Sequence, residues 1–260
     1  MVSLLTFIAI IPVILILTYV NNKDRNKEPS KLLALLFILG IVSCFLAVSL
    51  TSVLETIIPL FSKELSDLSK LEILVYVFIV VGFIEEFSKW VMAYLIGYKS
   101  EEFDEVFDSI VYAVFVSLGF ACFENIIYVF DEQTIKTGIL RGLLSVPGHA
   151  CFGLYMGYFL SLAKIYSKRG RFDLEKVFLV LSIIVPALLH GIYDYCLMSR
   201  ITVLLLLFFV FVILLFIFST KRLKKVASDT TVLVQKNKYC QNCGYPVKGM
   251  FCNNCGTRQE

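Results

Sequence analysis

Long apolar stretches constrain what this chain can fold into. In a chain of 260 residues with 58% hydrophobic residues, such stretches are typical of transmembrane helices. Only helices or closed barrels satisfy the backbone hydrogen bonds in lipid, so we predict an all-α, polytopic bundle of about seven transmembrane helices. The predicted spans are roughly Val2–Val20, Leu32–Leu54, Ile73–Tyr98, Val106–Phe130, Leu143–Tyr166, Val177–Leu197 and Ile201–Thr220.

Basic residues in the connections predict the orientation of the bundle. They concentrate after the first span, after the fifth span and after the last span, as Lys23, Arg25, Lys27 and Lys31, then Lys168, Arg169, Arg171 and Lys176, then Lys221, Arg222, Lys224 and Lys225. Because cytoplasmic connections carry an excess of Lys and Arg, we predict the N-terminus outside and the C-terminus in the cytoplasm. The first span has no positive segment before it and no small-residue cleavage site after it, which favours a retained anchor over a signal peptide.

The C-terminal tail carries a paired cysteine motif. Cys240 and Cys243, then Cys252 and Cys255, form two CxxCG units, whose spacing suits a closed, structural zinc site. We predict a membrane domain at 1–220, a cytoplasmic linker at 221–238 and a zinc ribbon at 239–260. Two disulfides are the alternative, which a reducing cytosol disfavours. Docking of a cytoplasmic partner, sensing and tail stability all remain open as roles for the ribbon.

Ionisable residues lie inside four of the predicted spans. A charge in hydrocarbon costs at least about 2.5–3.5 kcal/mol, so such residues mark function or buried pairing. Counted from the outer ends of their spans at 1.5 Å per residue, they lie about 9–20 Å deep, which predicts a site in the extracytoplasmic half. They are Glu85, Glu86 and Lys89 in the third span, Glu124 in the fourth, His149 in the fifth, and His190 with Asp194 in the sixth.

The spacing of these residues indicates acid–base chemistry. Glu85 and Lys89 share a helix face at i, i+4, and His190 and Asp194 do the same. Carboxylates beside histidines suit hydrolysis or ion handling. Structural ion pairing, an ion-coupled transporter and a non-catalytic scaffold are the alternatives. The chain has no HExxH, GxSxG in a span, or P-loop motif, and we expect no nucleic-acid partner.

These motifs resemble the PrsW family of bacterial intramembrane proteases, within the wider group of CAAX-type membrane endopeptidases. The similar elements are Asp24 to Pro29, the EExxK motif at Glu85 to Lys89, FxxxE at Phe120 and Glu124, the segment Ser145 to His149, and HxxxD at His190 and Asp194. The similarity covers roughly residues 1–200, and the cysteine-rich tail is outside the family pattern.

The resemblance implies an intramembrane protease domain at 1–220 in the bacterial cell membrane. Its substrate would be a single-pass membrane protein, typically an anti-sigma factor cut near its extracytoplasmic side in a stress response. The implied catalytic residues are Glu85, Glu86, Glu124, His149, His190 and Asp194. Two mechanisms are open: a glutamate that activates water with help from histidine, or zinc held by the histidines and a glutamate. The metal-free version is favoured, because four carboxylates and a lysine carry too many charges for a simple zinc shell.

Overall fold

The computed structural model describes residues 2–228, 233, 238–240, 242–243, 246–247 and 254–258. Within this part of the chain, seven helical segments follow one another, and the predicted all-α bundle is confirmed. The regular helices are the first, Val2–Lys23, the second, Ser30–Ile57, the fourth, Asp108–Glu132, the sixth, Phe172–Met198, and the seventh, Thr202–Ala227. Two short strands, β1 (Lys238–Tyr239) and β2 (Pro246–Val247), pair antiparallel in the tail.

The third and fifth segments contain π-helical stretches, which have wider turns than an α-helix. The third segment, residues 70–98, alternates α-helical Lys70–Tyr76 and Glu85–Met92 with π-helical Val77–Ile84 and Ala93–Tyr98. In the fifth segment, π-helical Arg141–Ser145 separates α-helical Ile135–Leu140 from Val146–Lys168. π-Helical turns are rare and occur frequently at functional sites. Here Val77–Ile84 directly precedes the stretch that carries Glu85 and Glu86, and Arg141–Ser145 directly precedes the stretch that carries His149.

Length and apolar composition identify five of the described helices as able to cross a membrane. The first helix is apolar over the shorter range Phe7–Lys23, and the third segment is interrupted by its own charges. The five are Ser30–Ile57, Asp108–Glu132, Ile135–Lys168, Phe172–Met198 and Thr202–Ala227. The fifth begins earlier than the predicted Leu143, because the polar residues around Lys136 and Arg141 hide its first turns from hydropathy.

The fourth helix is the centre of the bundle. Its most apolar window is 72% buried inside the protein, whereas the corresponding window of the seventh helix is only 22% buried and faces outward. The fourth helix packs against the first, second and fifth helices. A helix that is apolar and buried over most of its length is typical of a core position, and its buried polar residues Ser117 and Asn125 donate to other helices rather than face lipid.

Small residues allow the helix backbones to touch. A Cβ added to Gly119 would lie 2.1 Å from the Phe37 carbonyl oxygen, and one added to Gly40 would lie 2.1 Å from the Val116 oxygen. Gly157 is similarly crowded, with the Ser109 oxygen at 2.3 Å, and at Gly153 the nearest atoms are Ser117 Cβ at 2.7 Å and the Ala113 oxygen at 2.9 Å. Small residues at helix crossings are the usual means of tight packing in membranes.

The seventh helix extends past its predicted end at Thr220. It continues to Ala227, so the first residues of the predicted linker are helical. The division into a membrane domain, a linker and a ribbon stays a prediction. Of the four predicted zinc ligands, Cys252 lies outside the described residues.

Gly82→Ala should destabilise the bundle. An added Cβ would lie 2.6 Å from the Ala187 carbonyl oxygen, so the third and sixth segments would have to separate. Overpacking of this kind costs about 1–3 kcal/mol. The measurement is the melting temperature of the full-length protein in detergent. Gly148→Ala is the control, because its Cβ would make an ordinary 3.4 Å contact with Tyr193. Equal melting temperatures for the two variants would contradict the expected crowding.

Candidate functional site

The ionisable residues singled out in the sequence meet between the third, fourth, fifth and sixth segments. Every one of the six predicted site residues belongs to one connected cluster, together with Lys89. The links are Glu86 with Lys89, Glu85 with Lys89, Glu86 with His190, His190 with Asp194, His149 with Lys89, and His149 with Glu124.

Lys89 and Glu86 form the centre of this cluster. Both side chains are fully buried, and Lys89 Nζ donates to Glu86 Oε1 at 2.7 Å. The same ammonium lies 3.5 Å from Glu85 Oε2 and 4.0 Å from the centroid of the Phe120 ring. A buried ammonium without a counter-ion is very costly, so the carboxylate of Glu86 is its main charge partner.

His190 lies between two carboxylates. Its Nδ1 is 2.9 Å from Glu86 Oε1, and its Nε2 is 2.9 Å from Asp194 Oδ2, which confirms the predicted i, i+4 pairing with Asp194. The ring stacks on Phe152, with 4.7 Å between the centroids. Ionised carboxylates only accept hydrogen bonds, so this environment suits an imidazolium with a proton on each nitrogen.

His149 is held as the neutral form with its proton on Nε2. Its Nδ1 lies 3.2 Å from Lys89 Nζ, and because an ammonium can only donate, this nitrogen must accept. Nε2 then carries the proton and donates to Glu124 Oε2 at 2.9 Å. The backbone oxygen of His149 also accepts a 2.7 Å hydrogen bond from the Ser117 hydroxyl. The two histidines therefore differ in protonation and in role.

A cavity of about 340 Å³ opens onto this cluster. It lies toward the helix ends near Met198 and Leu140. Glu85 lines the cavity with 19% of its side chain exposed, whereas Glu86 is fully buried. Beyond the approach of Lys89, Glu85 Oε2 has no hydrogen-bond partner. Adjacent residues lie about 100° apart around a helix, and this rotation gives the two glutamates different surroundings. The other polar lining residues include Glu124, Arg141, Ser145, His149, His190 and Asp194.

Arg141 is a member of the site that the sequence analysis missed, since it lies before the predicted start of the fifth span at Leu143. Its Nη2 lies 3.1 Å from Glu124 Oε2, and its Nε donates to Asn125 Oδ1 at 3.1 Å. A signal was present in the spacing. Arg141, Ser145 and His149 follow one another at intervals of four residues, so they share one helix face, and all three line the cavity.

Comparison with known proteins identifies the family. The sequence pattern described as "PrsW family intramembrane metalloprotease" matches residues 28–219. Protease PrsW of Oceanobacillus iheyensis is 34% identical over 223 residues, which cover 86% of this chain and 96% of that protein. Protease PrsW of Clostridioides difficile is 33% identical over 228 residues, or 85% of this chain and 90% of its own length. The Bacillus subtilis protein of the same name is 36% identical over 189 residues, or 72% and 80%.

The chain belongs to the PrsW family. It is an intramembrane protease, and membership of this family does not favour the transporter alternative. The PrsW match ends at Ser219, so the cysteine-containing tail lies outside it, as the sequence predicted. No solved structure matches the chain.

The family description raises the question of a catalytic metal in this PrsW protein. Ligand atoms of Glu86, His149 and His190 all lie within 4.8 Å of one another, and zinc accepts such ligands. However, the Lys89 ammonium contacts both Glu86 Oε1 and His149 Nδ1. Both nitrogens of His190 face carboxylate oxygens. The donors do not fit a resident ion in this arrangement, because a metal cation would have to displace the lysine.

The tail holds a separate set of possible metal ligands. The sulfur atoms of Cys240, Cys243 and Cys255 lie within 4.8 Å of one another, and Cys240 Sγ is 3.4 Å from Cys255 Sγ. Hydrogen bonds from the side chain and backbone of Thr257 lower the pKa of the Cys255 thiol to about 6. A lowered thiol pKa favours the thiolate, which is the form that binds metal. Zinc at these cysteines is a prediction that their chemistry supports.

Removing Glu86 should cost much more stability than removing Glu85. Glu86→Gln leaves the buried Lys89 without its main counter-charge, and loss of one partner of a buried pair costs about 3–5 kcal/mol. Glu85→Gln replaces a partly exposed carboxylate and should lower the melting temperature far less. Thermal unfolding of full-length protein in detergent checks this difference, with exposed Glu101→Gln as the control. A smaller loss for Glu86→Gln than for Glu85→Gln would contradict Glu86 as the charge partner.

Metal content should depend on the tail and not on the membrane site. We expect about one zinc ion per chain, since four thiolates form one closed site. The double variant Cys240→Ser, Cys243→Ser should contain none, whereas His149→Ala and His190→Ala should each retain the ion. Elemental analysis of purified full-length protein measures this. A metal that persists in the cysteine variant and disappears with His149→Ala would instead place an ion at the membrane cluster.

Proposed function

We propose that this protein hydrolyses a peptide bond of a single-pass membrane protein, with Glu85 as the general base. The observation that carries the proposal is the contrast between two neighbouring glutamates. Glu86 is fully buried against Lys89 and His190, whereas Glu85 lines the cavity with 19% of its side chain exposed. A general base must lie within reach of water, and of the two glutamates only Glu85 lines the cavity.

The reaction needs no further group to balance its atoms. Glu85 takes a proton from a water molecule in the cavity, and the water oxygen attacks the peptide carbonyl carbon. Positive charge on His190, which lines the same cavity, stabilises the oxyanion that develops. The carbon–nitrogen bond then breaks, and Glu85 returns the proton to the leaving amine. Water reaches Glu85 through the cavity, since Glu85 lines it and is 19% exposed, whereas Glu86 and Lys89 are fully buried.

The predicted orientation of the bundle supports a reaction site near the extracytoplasmic surface. The basic connections, such as Lys168 to Arg171, lie at the opposite end of the helices from the cavity lining at Leu197 and Met198. The positive-inside rule assigns the basic end to the cytoplasm. The proposed cut is therefore in the outer part of the substrate's membrane segment or just outside it.

The proposed substrate class is an anti-sigma factor whose cleavage starts a stress response. The support is the motif resemblance to the PrsW family together with an outer-half site, which suits a cut on the extracytoplasmic side. The lipid bilayer and a membrane-anchored substrate are the partners that this reading requires.

A comparison of membrane-protein fragments in cells tests the proposal. Wild type, Glu85→Gln, His190→Ala and the exposed control Glu101→Gln are expressed at matched levels under envelope stress, and new protein termini are mapped by mass spectrometry. We expect a single-pass protein truncated by wild type and by Glu101→Gln. With Glu85→Gln the cleavage rate should fall at least about 100-fold, the usual minimum contribution of a general base.

The position of the new terminus is the second readout. It should fall in the extracytoplasmic third of the substrate's membrane segment or just beyond it. Identical fragments from wild type and Glu85→Gln would remove Glu85 as the base, and a cut on the cytoplasmic side would overturn the proposed orientation.

A further inference from the structure

Arg141 lines the cavity, but the reaction above gives it no step. It begins the π-helical stretch Arg141–Ser145, and its side chain is 18% exposed. A guanidinium stays charged at all accessible pH values, so a position in the wall of an intramembrane cavity requires partners. These partners, rather than lipid or bulk water, determine where the guanidinium lies.

Three residues within five positions of the fourth helix hold the guanidinium. Its Nη2 lies 3.1 Å from Glu124 Oε2, its Nε donates to Asn125 Oδ1 at 3.1 Å, and its central carbon lies 4.0 Å from the Tyr128 ring centroid. The planar fork of arginine allows all three contacts together, whereas a lysine ammonium is a point charge on a flexible stem. The contact set therefore fixes the direction of Arg141 as well as its position.

The first helix supports this arrangement through Asn125. The Asn125 side chain is fully buried, and its Nδ2 donates to the Ala9 carbonyl oxygen at 2.9 Å. With its amide nitrogen used in this way, its oxygen is directed to Arg141. A buried amide has little freedom to turn once both ends are bonded, so the backbone of the first helix indirectly orients the guanidinium.

One oxygen atom connects Arg141 to the reacting region. Glu124 Oε2 is the atom that Arg141 Nη2 approaches, and it is also the acceptor for the His149 Nε2 proton. While Glu124 Oε2 accepts this proton, His149 Nδ1 is free to accept from Lys89. If the oxygen moved, the ring could turn or change tautomer, and Lys89 would lose one of its acceptors beside Glu85.

We propose that Arg141 is a positioning residue for proteolysis. By holding Glu124 Oε2, it keeps His149 in the form protonated on Nε2, and through Lys89 it keeps the Glu85 base in place. The kinetic part of this inference rests on the proposed function. The histidine part does not, because the protonation of the ring is observable without any substrate.

The first test is nitrogen-15 NMR of histidine rings in full-length protein purified without a histidine tag. The chain contains only 2 histidines, so the His190→Ala variant assigns the signals. We expect wild-type His149 to show a protonated Nε2 and an unprotonated Nδ1. Arg141→Gln should shift the His149 signals or mix the two tautomers, and Arg141→Lys should change them less. Arg200→Gln is the matched control, because Arg200 is exposed and donates to the Leu65 carbonyl oxygen away from the cavity.

The second test is kinetic and uses the single-pass protein whose truncation depends on Glu85. We expect Arg141→Gln to lower kcat about 10–100-fold, the usual effect of removing a group that orients a site residue, with KM little changed. Arg141→Lys should recover part of the loss, and Arg200→Gln should match wild type. Melting temperatures of the three variants separate this effect from unfolding.

Each outcome bears on the proposal separately. Unchanged His149 signals in folded Arg141→Gln would overturn it. A raised KM with unchanged kcat would also overturn it, since that pattern belongs to a residue that binds the substrate directly. If no protein depends on Glu85 for truncation, the proposed function fails, while the NMR result still decides whether Arg141 controls His149.

Discussion

The ion pair of Lys89 with Glu86 is the interaction on which the rest of the site depends. Neither side chain reaches solvent, so each charge is tolerable only while the other is present. Lys89 Nζ also contacts His149, and Glu86 Oε1 also contacts His190, and the two histidines come from two other segments. The third, fifth and sixth segments must therefore pack together for these charges to be paired. The same contacts hold the segments together and assemble the site.

Close backbone packing is what makes this pairing geometrically possible. The segments can approach to hydrogen-bonding range only where no side chain separates them, as at Gly82 beside the Ala187 carbonyl oxygen. Gly82 precedes Glu85 by less than one turn, and Ala187 has the same relation to His190. Lipid supplies no hydrophobic force to press helices together, so close packing and polar contacts have to hold them. The glycine and the charges support each other at one level of the membrane.

Much of the architecture could be predicted from sequence, because hydropathy and charge placement act over whole segments. The spans follow from hydropathy, and the pairing of His190 with Asp194 follows from helical periodicity. The charge partner of Lys89 cannot be predicted from periodicity. Helical spacing places both Glu85, four residues before it, and Glu86, three residues before it, within reach. The choice of Glu86 depends on His190, which lies 104 residues away in sequence and binds the same carboxylate oxygen.

Arg141 was missed for a related reason. Hydropathy placed the start of the fifth span at Leu143, since lysine, threonine and glycine precede it, and so an arginine of the site was read as a loop charge. The structure continues the helix back to Ile135, with a widened turn at Arg141–Ser145. A polar first turn of a membrane helix lowers the mean hydropathy of its window, so hydropathy assigns that turn to a loop. Its partners, Glu124 and Asn125, become visible only when the fourth helix is placed beside it.

If Glu85 is the base, as proposed, the two glutamates of the EExxK motif divide the work between a counter-charge and a reactive group. Lys89 needs a permanent counter-charge, and a carboxylate used for that purpose cannot also give and take protons cheaply, because each protonation would leave the ammonium unpaired. The second carboxylate, on the adjacent residue Glu85, is rotated about 100° toward the cavity. It is not the main counter-charge of Lys89, although it lies near the ammonium. In the proposed mechanism, adjacent placement thus separates a structural role from a chemical role within one helical turn. A single glutamate at either position would have to serve both, and the stability of the bundle would then vary with every step of the reaction.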